Sequence, residues 1–471
     1  MKIFVGLIYI ISYSFCLGSK PNIILIMADD QGWGQTGYYK HPILKTPNLD
    51  KMAANGLRFD RFYAGGPVCS PTRASVLTGR THDRTGVFDH GYALRKQERT
   101  LPQALKEAGY KTGHFGKWHL NGLRGPGVPI LDKDPNGPGN FGFDTWLSVT
   151  NFFDINPIMS RNGKFKEFKG DSSEIIVKEA LKFISKAINS EKAFFSVIWF
   201  GTPHSPWMGL EKDLKEFKGL DNNSQAHYAE LRAMDRSIGH LRSELRKLGI
   251  EKDTLLWFTS DNGGLPKIKP NTTGNLRDYK GSLYEGGIRV PAIIEWPRKI
   301  IDSQVSSYPA GAVDIFPTIS DICKLPVSSH HHPQDGTSLT PLFEKNIKVR
   351  NSPLIFSSRG RMAIIDNDWK LISLPTEKGR EIKLFNISKD PQETTNLFRP
   401  SHPQVNRLRK ILIKSRNSIA ESVNGLDYKE GVVLPQPPRI FWSELPEYQK
   451  FFTAWRDRPE YKSLLQKFNK I

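Results

Sequence analysis

With 471 residues, 38% hydrophobic content and frequent Gly and Pro, the chain reads as an enzyme-sized folded protein with one large domain and a smaller one, which excludes fibrous and disordered classes. Its formal net charge of +19 fits either an anionic substrate, such as a sulfated or phosphorylated polymer, or a generally basic surface. No arginine-rich arm or zinc-finger spacing supports nucleic-acid binding, and no apolar run has the length of a membrane span.

Residues 1–18 read as a signal peptide, with Lys2 as the positive start, an apolar run and the small-residue stretch Cys16-Leu17-Gly18. Export follows as the expectation, to a secreted, periplasmic or lumenal location. Of three cysteines, Cys16 leaves with the signal, and Cys323, in the apolar segment 313–323, is expected to be buried core. Cys69 is left to be explained.

Residues 22–27 form a continuous apolar run, the mark of a strand buried on both faces, and they end in Asp29-Asp30. Adjacent carboxylates leaving such a strand repel each other unless a cation lies between them. Thr46-Pro47 opens a helix stopped by Gly56, and residues 57–63 read as a strand. Cys69 then precedes a helix start, where the open N–H groups, the helix dipole and Arg73 favour an anion. A helix from Thr100 to Gly109 leads to a strand at 110–115 that runs into Lys117 and His119. A Gly/Pro-rich loop covers 125–142. A helix at 172–188, a strand at 194–200 ending near His204, a long helix at 225–248 and a strand at 254–259 ending in Asp261-Asn262 come next. Lys280 lies in a Gly-rich stretch before one more strand at 291–296.

Alternating strands and helices predict an α/β fold, a large mostly parallel sheet sandwiched by helices. The polar clusters fall at strand carboxyl ends, where open parallel sheets bind ligands. Beyond residue 346, short strands at 354–357, 361–365, 369–373 and 382–385, a helix at 403–422 and an aromatic tail predict a smaller C-terminal antiparallel α+β subdomain. The expected organisation is signal 1–18, catalytic domain 19–345 and C-terminal subdomain with tail 346–471. His330-His331-His332 reads as an ordinary solvated loop.

Cys69-Ser70-Pro71-Thr72-Arg73 with Leu77-Thr78-Gly79-Arg80 resembles the signature of type I, formylglycine-dependent sulfatases of the alkaline phosphatase superfamily. Asp29-Asp30, Gly116-Lys117-Trp118-His119, Pro203-His204, Asp261-Asn262-Gly263, Lys280 and Glu285-Gly286-Gly287-Ile288-Arg289 resemble further motifs of that family, in its order. So do Asp314-Ile315-Phe316-Pro317-Thr318, Asp335-Gly336 and Trp369-Lys370-Leu371, and the likeness runs from Pro21 to about Leu397. It implies an alkaline-phosphatase-like fold and one calcium ion held by Asp29, Asp30, Asp261 and Asn262, with Cys69 also at the metal. It also implies oxidation of Cys69 to formylglycine by a maturation enzyme. Arg73 and Lys117 would hold the aldehyde hydrate ionised, His119 would take its second proton, and His204 and Lys280 would contact the sulfate and protonate the leaving alcohol. The expected substrate is a sulfate ester, leaning toward a sulfated carbohydrate. The alternatives are a phosphonate or phosphodiester hydrolase of the same superfamily and a non-catalytic binder of sulfated glycans.

Overall fold

The computed structural model describes residues 20–468, so the expected signal peptide lies outside the described residues. The first apolar run becomes the strand Asn22–Ala28, with all seven residues buried. Phe194–Trp199 and Thr254–Ser260 flank it in parallel. Lys111–Lys117 and Thr145–Val149 continue the parallel order on one side. On the other, Arg289–Glu295 runs antiparallel and joins Leu57–Tyr63. The sheet has eleven strands and closes on its far edge with the short antiparallel pair Ile158–Arg161 and Lys164–Glu167.

Successive side chains of a strand point to opposite faces, and the central strand obeys this in full. Ile23, Leu25 and Met27 enter one core, with Ala74, Leu77, Leu101 and Leu105 from helices Cys69–Thr78 and Leu101–Glu107. Ile24, Ile26 and Ala28 enter another, with Met52, Ile176, Ile184 and Met234 from helices Pro47–Ala54, Ser172–Asn189 and Asn222–Lys247. The Asp171 carboxylate caps Ser172–Asn189 by accepting from Ser173 N and Glu174 N. Helices therefore cover both faces, as the sequence pattern predicts. No helix among the described residues is long and apolar enough to cross a membrane.

Cys323 is less enclosed than expected. It is the last residue of helix Ile315–Cys323 and is partly buried, packed against the main core, with its sulfur 3.3 Å from Tyr110 Oη.

Strands Leu354–Ser358, Arg361–Asp366, Trp369–Thr376 and Gly379–Asn386 form a second sheet of consecutive antiparallel hairpins. One face carries Phe356, Ala363, Ile372 and Phe385 onto Tyr63, Tyr284 and Ile288 of the large sheet's surroundings. The opposite face carries Ile364, Leu371 and Leu384 onto Val405 and Leu408 of helix Pro403–Val423. The tail then returns to the first part of the chain. Ile440–Phe441 pairs in parallel with Leu123–Arg124, and Trp442, Tyr448, Trp455 and Tyr461 pack with Leu123, Val128 and Ile158.

Candidate active site

Register decides which residues meet. Ala28 pairs with Ser260, and Met27 pairs with both Trp199 and Thr259, so Asp29-Asp30 and Asp261-Asn262 leave neighbouring strands at the same edge. The segment carrying His204 leaves the strand on the other side. Lys111–Lys117 delivers Lys117 one strand further along. Gly116 makes this possible: its φ is 113°, and a Cβ there would lie 1.8 Å from the Trp199 carbonyl oxygen. Only glycine permits that approach.

Cys69 is the first residue of its helix, one position further in than the sequence suggests, with Val68 extended before it. The helix ends at Gly79, which is left-handed (φ 70°) and donates to Ser75 O. The Cys69 sulfur lies 3.5 Å from Asp29 Oδ1 and 3.5 Å from Lys280 Nζ. Burial pushes the thiol well above its usual range, against the pull of Lys117 and Lys280. The helix-terminus argument for an acidic thiol is thus outweighed by desolvation, and Cys69 as a bare thiolate nucleophile is disfavoured.

Three carboxylates and three cations interlock around it. Lys117 Nζ lies 2.5 Å from Asp29 Oδ2, Lys280 Nζ 2.6 Å from Asp30 Oδ1, and Arg73 Nη2 2.8 Å from Asp261 Oδ2. Arg73 also donates to the Lys117 carbonyl and lies over the Trp199 indole at 5.1 Å. Burial raises Asp261 to about 6, with Asp29 adding to the effect. Burial also works against ionisation of Asp30, but Lys280 and His204 outweigh it and hold that carboxyl below its ordinary value. Asn262 donates to Asp30 Oδ1 at 2.7 Å, while its own Oδ1 is buried without a partner.

Two histidines complete the cluster. His119 sits in a left-handed conformation (φ 54°), buried, with no partner on either ring nitrogen. Burial, then Lys117 and Arg73, keep it far below the usual imidazole value. The His204 ring stacks on Phe152 at 4.7 Å, its Nδ1 lies 2.6 Å from the Ser205 carbonyl oxygen, and its Nε2 lies 3.8 Å from Asp30 Oδ2. With Nδ1–H donating to Ser205, Nε2 is left facing the carboxylates.

A family model described as Sulfatase matches residues 21–325. The chain belongs to the sulfatase family. A second model, the C-terminal part of N-sulphoglucosamine sulphohydrolase, matches residues 277–420. Human N-acetylgalactosamine-6-sulfatase is 32% identical over 353 residues, 68% of this chain and 65% of its own length, so the chain spans just under two thirds of that relative. Human arylsulfatase A is 28% identical over 449 residues, 83% of this chain and 86% of its own. Among solved structures, Ps i-CgsB in complex with k-i-k-neocarrahexaose superposes with a TM-score of 0.75 at 25% identity, covering 95% of this chain and 99% of that one.

Every site residue expected from the sequence lies at one sheet edge, and several residues outside that expectation join them. Ser70 Oγ donates to the His119 carbonyl and accepts from Gly91 N, tying the cysteine helix to the histidine loop. His90 brings its ring to 6.4 Å from that of His119. A single histidine in a polar loop carries no periodicity and no partner spacing that would single it out. Other family motifs turn out to be struts. Asp314 holds Arg350 through two short hydrogen bonds, and Asp335 holds Arg84. The run His330-His331-His332 stays outside the site, with His331 bonded to the Gln97 carbonyl.

Proposed function

We propose that this protein is an exported, calcium-dependent hydrolase of sulfate esters that releases an alcohol and inorganic sulfate, with a sulfated carbohydrate as substrate. The observation that carries this reading is the meeting of Cys69 with three buried carboxylates and three cations at one end of a parallel sheet. The donors fit a hard divalent cation: Asp29, Asp30, Asp261 and Asn262 offer only oxygens, and Asn262 Oδ1 is a buried acceptor lacking a donor. Asp29, Asp30, Cys69 and His204 also present ligand atoms all within 4.8 Å of one another. On this reading Asp29, Asp30, Asp261 and Asn262 would hold one calcium ion beside residue 69, where its charge would offset the acids and favour a sulfate oxygen.

Cys69, oxidised to formylglycine by a maturation enzyme, would supply a hydrated aldehyde there, an oxygen nucleophile for sulfur that can afterwards expel sulfate by re-forming its carbonyl. The chain's own groups do the rest. Arg73 and Lys117 keep the base of the pocket positive, which favours an ionised hydroxyl at residue 69. His119, held neutral by burial and then by those cations, has one unprotonated, unpartnered ring nitrogen with which to accept a proton. Lys280 and His204 Nε2 face the open side, beside where the sulfate would lie; burial and then Lys280 hold His204 neutral, well below the usual imidazole value, so the proton for the departing alcohol oxygen falls to the Lys280 ammonium. Burial opposes the charge on Lys280, yet Asp30 outweighs it and keeps the ammonium protonated.

The carbohydrate leaning is supported by the basic charge and by relatives that carry a sugar in their names, N-acetylgalactosamine-6-sulfatase and Ps i-CgsB in complex with k-i-k-neocarrahexaose. The phosphonate monoester hydrolase of Agrobacterium radiobacter shares the fold at a TM-score of 0.59 and 18% identity, so the discriminating experiment compares an aryl sulfate with an aryl phosphodiester. Faster turnover of the sulfate is expected; preference for the phosphodiester would reassign the reaction, and turnover of neither with retained glycan binding would make the protein a non-catalytic binder. Calcium should also raise the melting temperature of the purified protein and a chelator should lower it, because an ion bound only to the folded state stabilises that state. A melting temperature indifferent to both would remove calcium from the proposal.

A further inference from the structure

Next to the catalytic pocket, a cavity of about 830 Å³ opens between the small sheet, helix Pro403–Val423 and residues 83–92. Five arginines line it, Arg359, Arg361, Arg380, Arg409 and Arg416, against two carboxylates, Asp83 and Asp89. Arg359-Gly360 is a two-residue hairpin turn with both residues left-handed (φ 49° and 77°), which sets Arg359 and Arg361 at the tip. Arg409 and Arg416 are seven residues apart on one helix face, about 10 Å along the axis.

Most of this charge is uncompensated. Arg359 pairs with Asp89 at 3.0 Å, while Asp83 is taken up by the Ser357 hydroxyl. Arg361 and Arg380 donate to the backbone carbonyls of Gly281 and Gly360. Arg409 and Arg416 are exposed, and neither has a carboxylate within 4 Å among the described residues. Burial, then the neighbouring Arg359, lowers Arg361 from the ordinary arginine value, with Asp89 and Asp278 opposing. Concave sites lined by one sign of charge concentrate counter-ions, and planar guanidinium groups suit sulfate and carboxylate oxygens. The cavity also offers aromatic faces. Phe88 is 38% exposed and meets Tyr92 edge-on at 5.6 Å.

The same segment reaches the catalytic residues. His90 lies beside His119, Gly91 is bonded to Ser70, and Arg361 holds the carbonyl of Gly281, the residue after Lys280. We propose that this cavity is a subsite for a further anionic sugar of an extended, multiply charged glycan whose scissile sulfate lies at residue 69. The identity of the ligand rests on the sulfatase reading above; the anion receptor itself does not. The spacing of Arg409 and Arg416 suits charges repeated once per disaccharide.

The test uses the whole protein, a heparin hexasaccharide, the chemically desulfated hexasaccharide and 4-methylumbelliferyl sulfate. Calorimetric binding of the sulfated hexasaccharide should weaken with added salt. It should also weaken about tenfold in the Arg409→Gln/Arg416→Gln double variant, as expected for two exposed charge contacts. Turnover of the small aryl sulfate should stay unchanged in that variant. Phe88→Ala should weaken the hexasaccharide without altering charge. Equal binding of the hexasaccharide by wild type and double variant would overturn the subsite, and so would equal binding of a single-stranded DNA of matching charge. Failure of aryl sulfate turnover with hexasaccharide binding intact would instead overturn the reaction while leaving the receptor standing.

Discussion

Replacing Cys69 with alanine is expected to cut sulfate release by about 10³-fold or more, since loss of a nucleophile leaves only binding and electrostatic assistance. The substitution removes one sulfur from a helix start and leaves the interlocked ion pairs around it intact, so the variant should melt close to wild type and still bind substrate. A sulfate-release assay beside a melting curve separates the two effects. Mass spectrometry of the peptide containing residue 69 adds the chemical identity: the active protein should carry formylglycine. Unmodified cysteine in fully active protein, or wild-type turnover by the alanine variant, would end the proposed mechanism. The burial that pushes the thiol up makes this test sharp, because an unmodified Cys69 is a poor thiolate.

The second large effect concerns folding. Lys370, fully buried on the small sheet, lies 3.0 Å from Glu285 and 2.9 Å from Glu393, and Glu285 also accepts from Tyr63 Oη at 3.0 Å. This charged knot joins the small sheet to the strand Arg289–Glu295 of the large one. Lys370→Met keeps the volume but leaves Glu393 buried without its cation, while Glu285 keeps Arg289 at 3.5 Å and the Tyr63 hydroxyl, and breaking such a pair costs about 3–5 kcal/mol. The variant should show a much lower melting temperature and denaturant midpoint. Burial already raises Glu393 to about 7 from 4.5 against the attraction of Lys370. A carboxyl raised in the folded state costs stability as pH climbs from its unfolded value through its folded one. Without Lys370 the Glu393 carboxyl rises further, so the variant should recover part of its loss as pH falls from above about 7. A midpoint unchanged from wild type at pH 8 would show that the knot contributes little.

Residues such as Asp29-Asp30 and Asp261-Asn262 were legible in the sequence because each follows a short, mostly apolar strand. Parallel pairing brings carboxyl ends to one edge whatever the loops do. The partnerships were not legible. Arg73 finds Asp261 across 188 residues and Lys280 finds Cys69 across 211, and nothing local encodes either. Glu285, Asp314 and Trp369-Lys370-Leu371 carry family motifs that read alike from the chain, yet they brace the fold instead of lining the pocket. The strands between Thr145 and Glu167 escaped because they are four or five residues long, and Lys164–Glu167 is too polar to show a buried face. The return of the tail to Leu123–Arg124 depends on a two-residue pairing and aromatic packing, neither of which has a periodic signature.

The depth of Cys69 sets a schedule. In the folded protein its residue is 2% exposed, and no second enzyme can bring its own catalytic groups to a sulfur so enclosed. Asp261 and Lys280, which help to wall it in, are synthesised roughly two hundred residues after it. Between those two moments the segment around residue 69 is still an accessible peptide. On the formylglycine reading, maturation belongs to that interval: the chain becomes competent while it is being made, and a molecule that closes with its thiol intact is committed to remaining inactive.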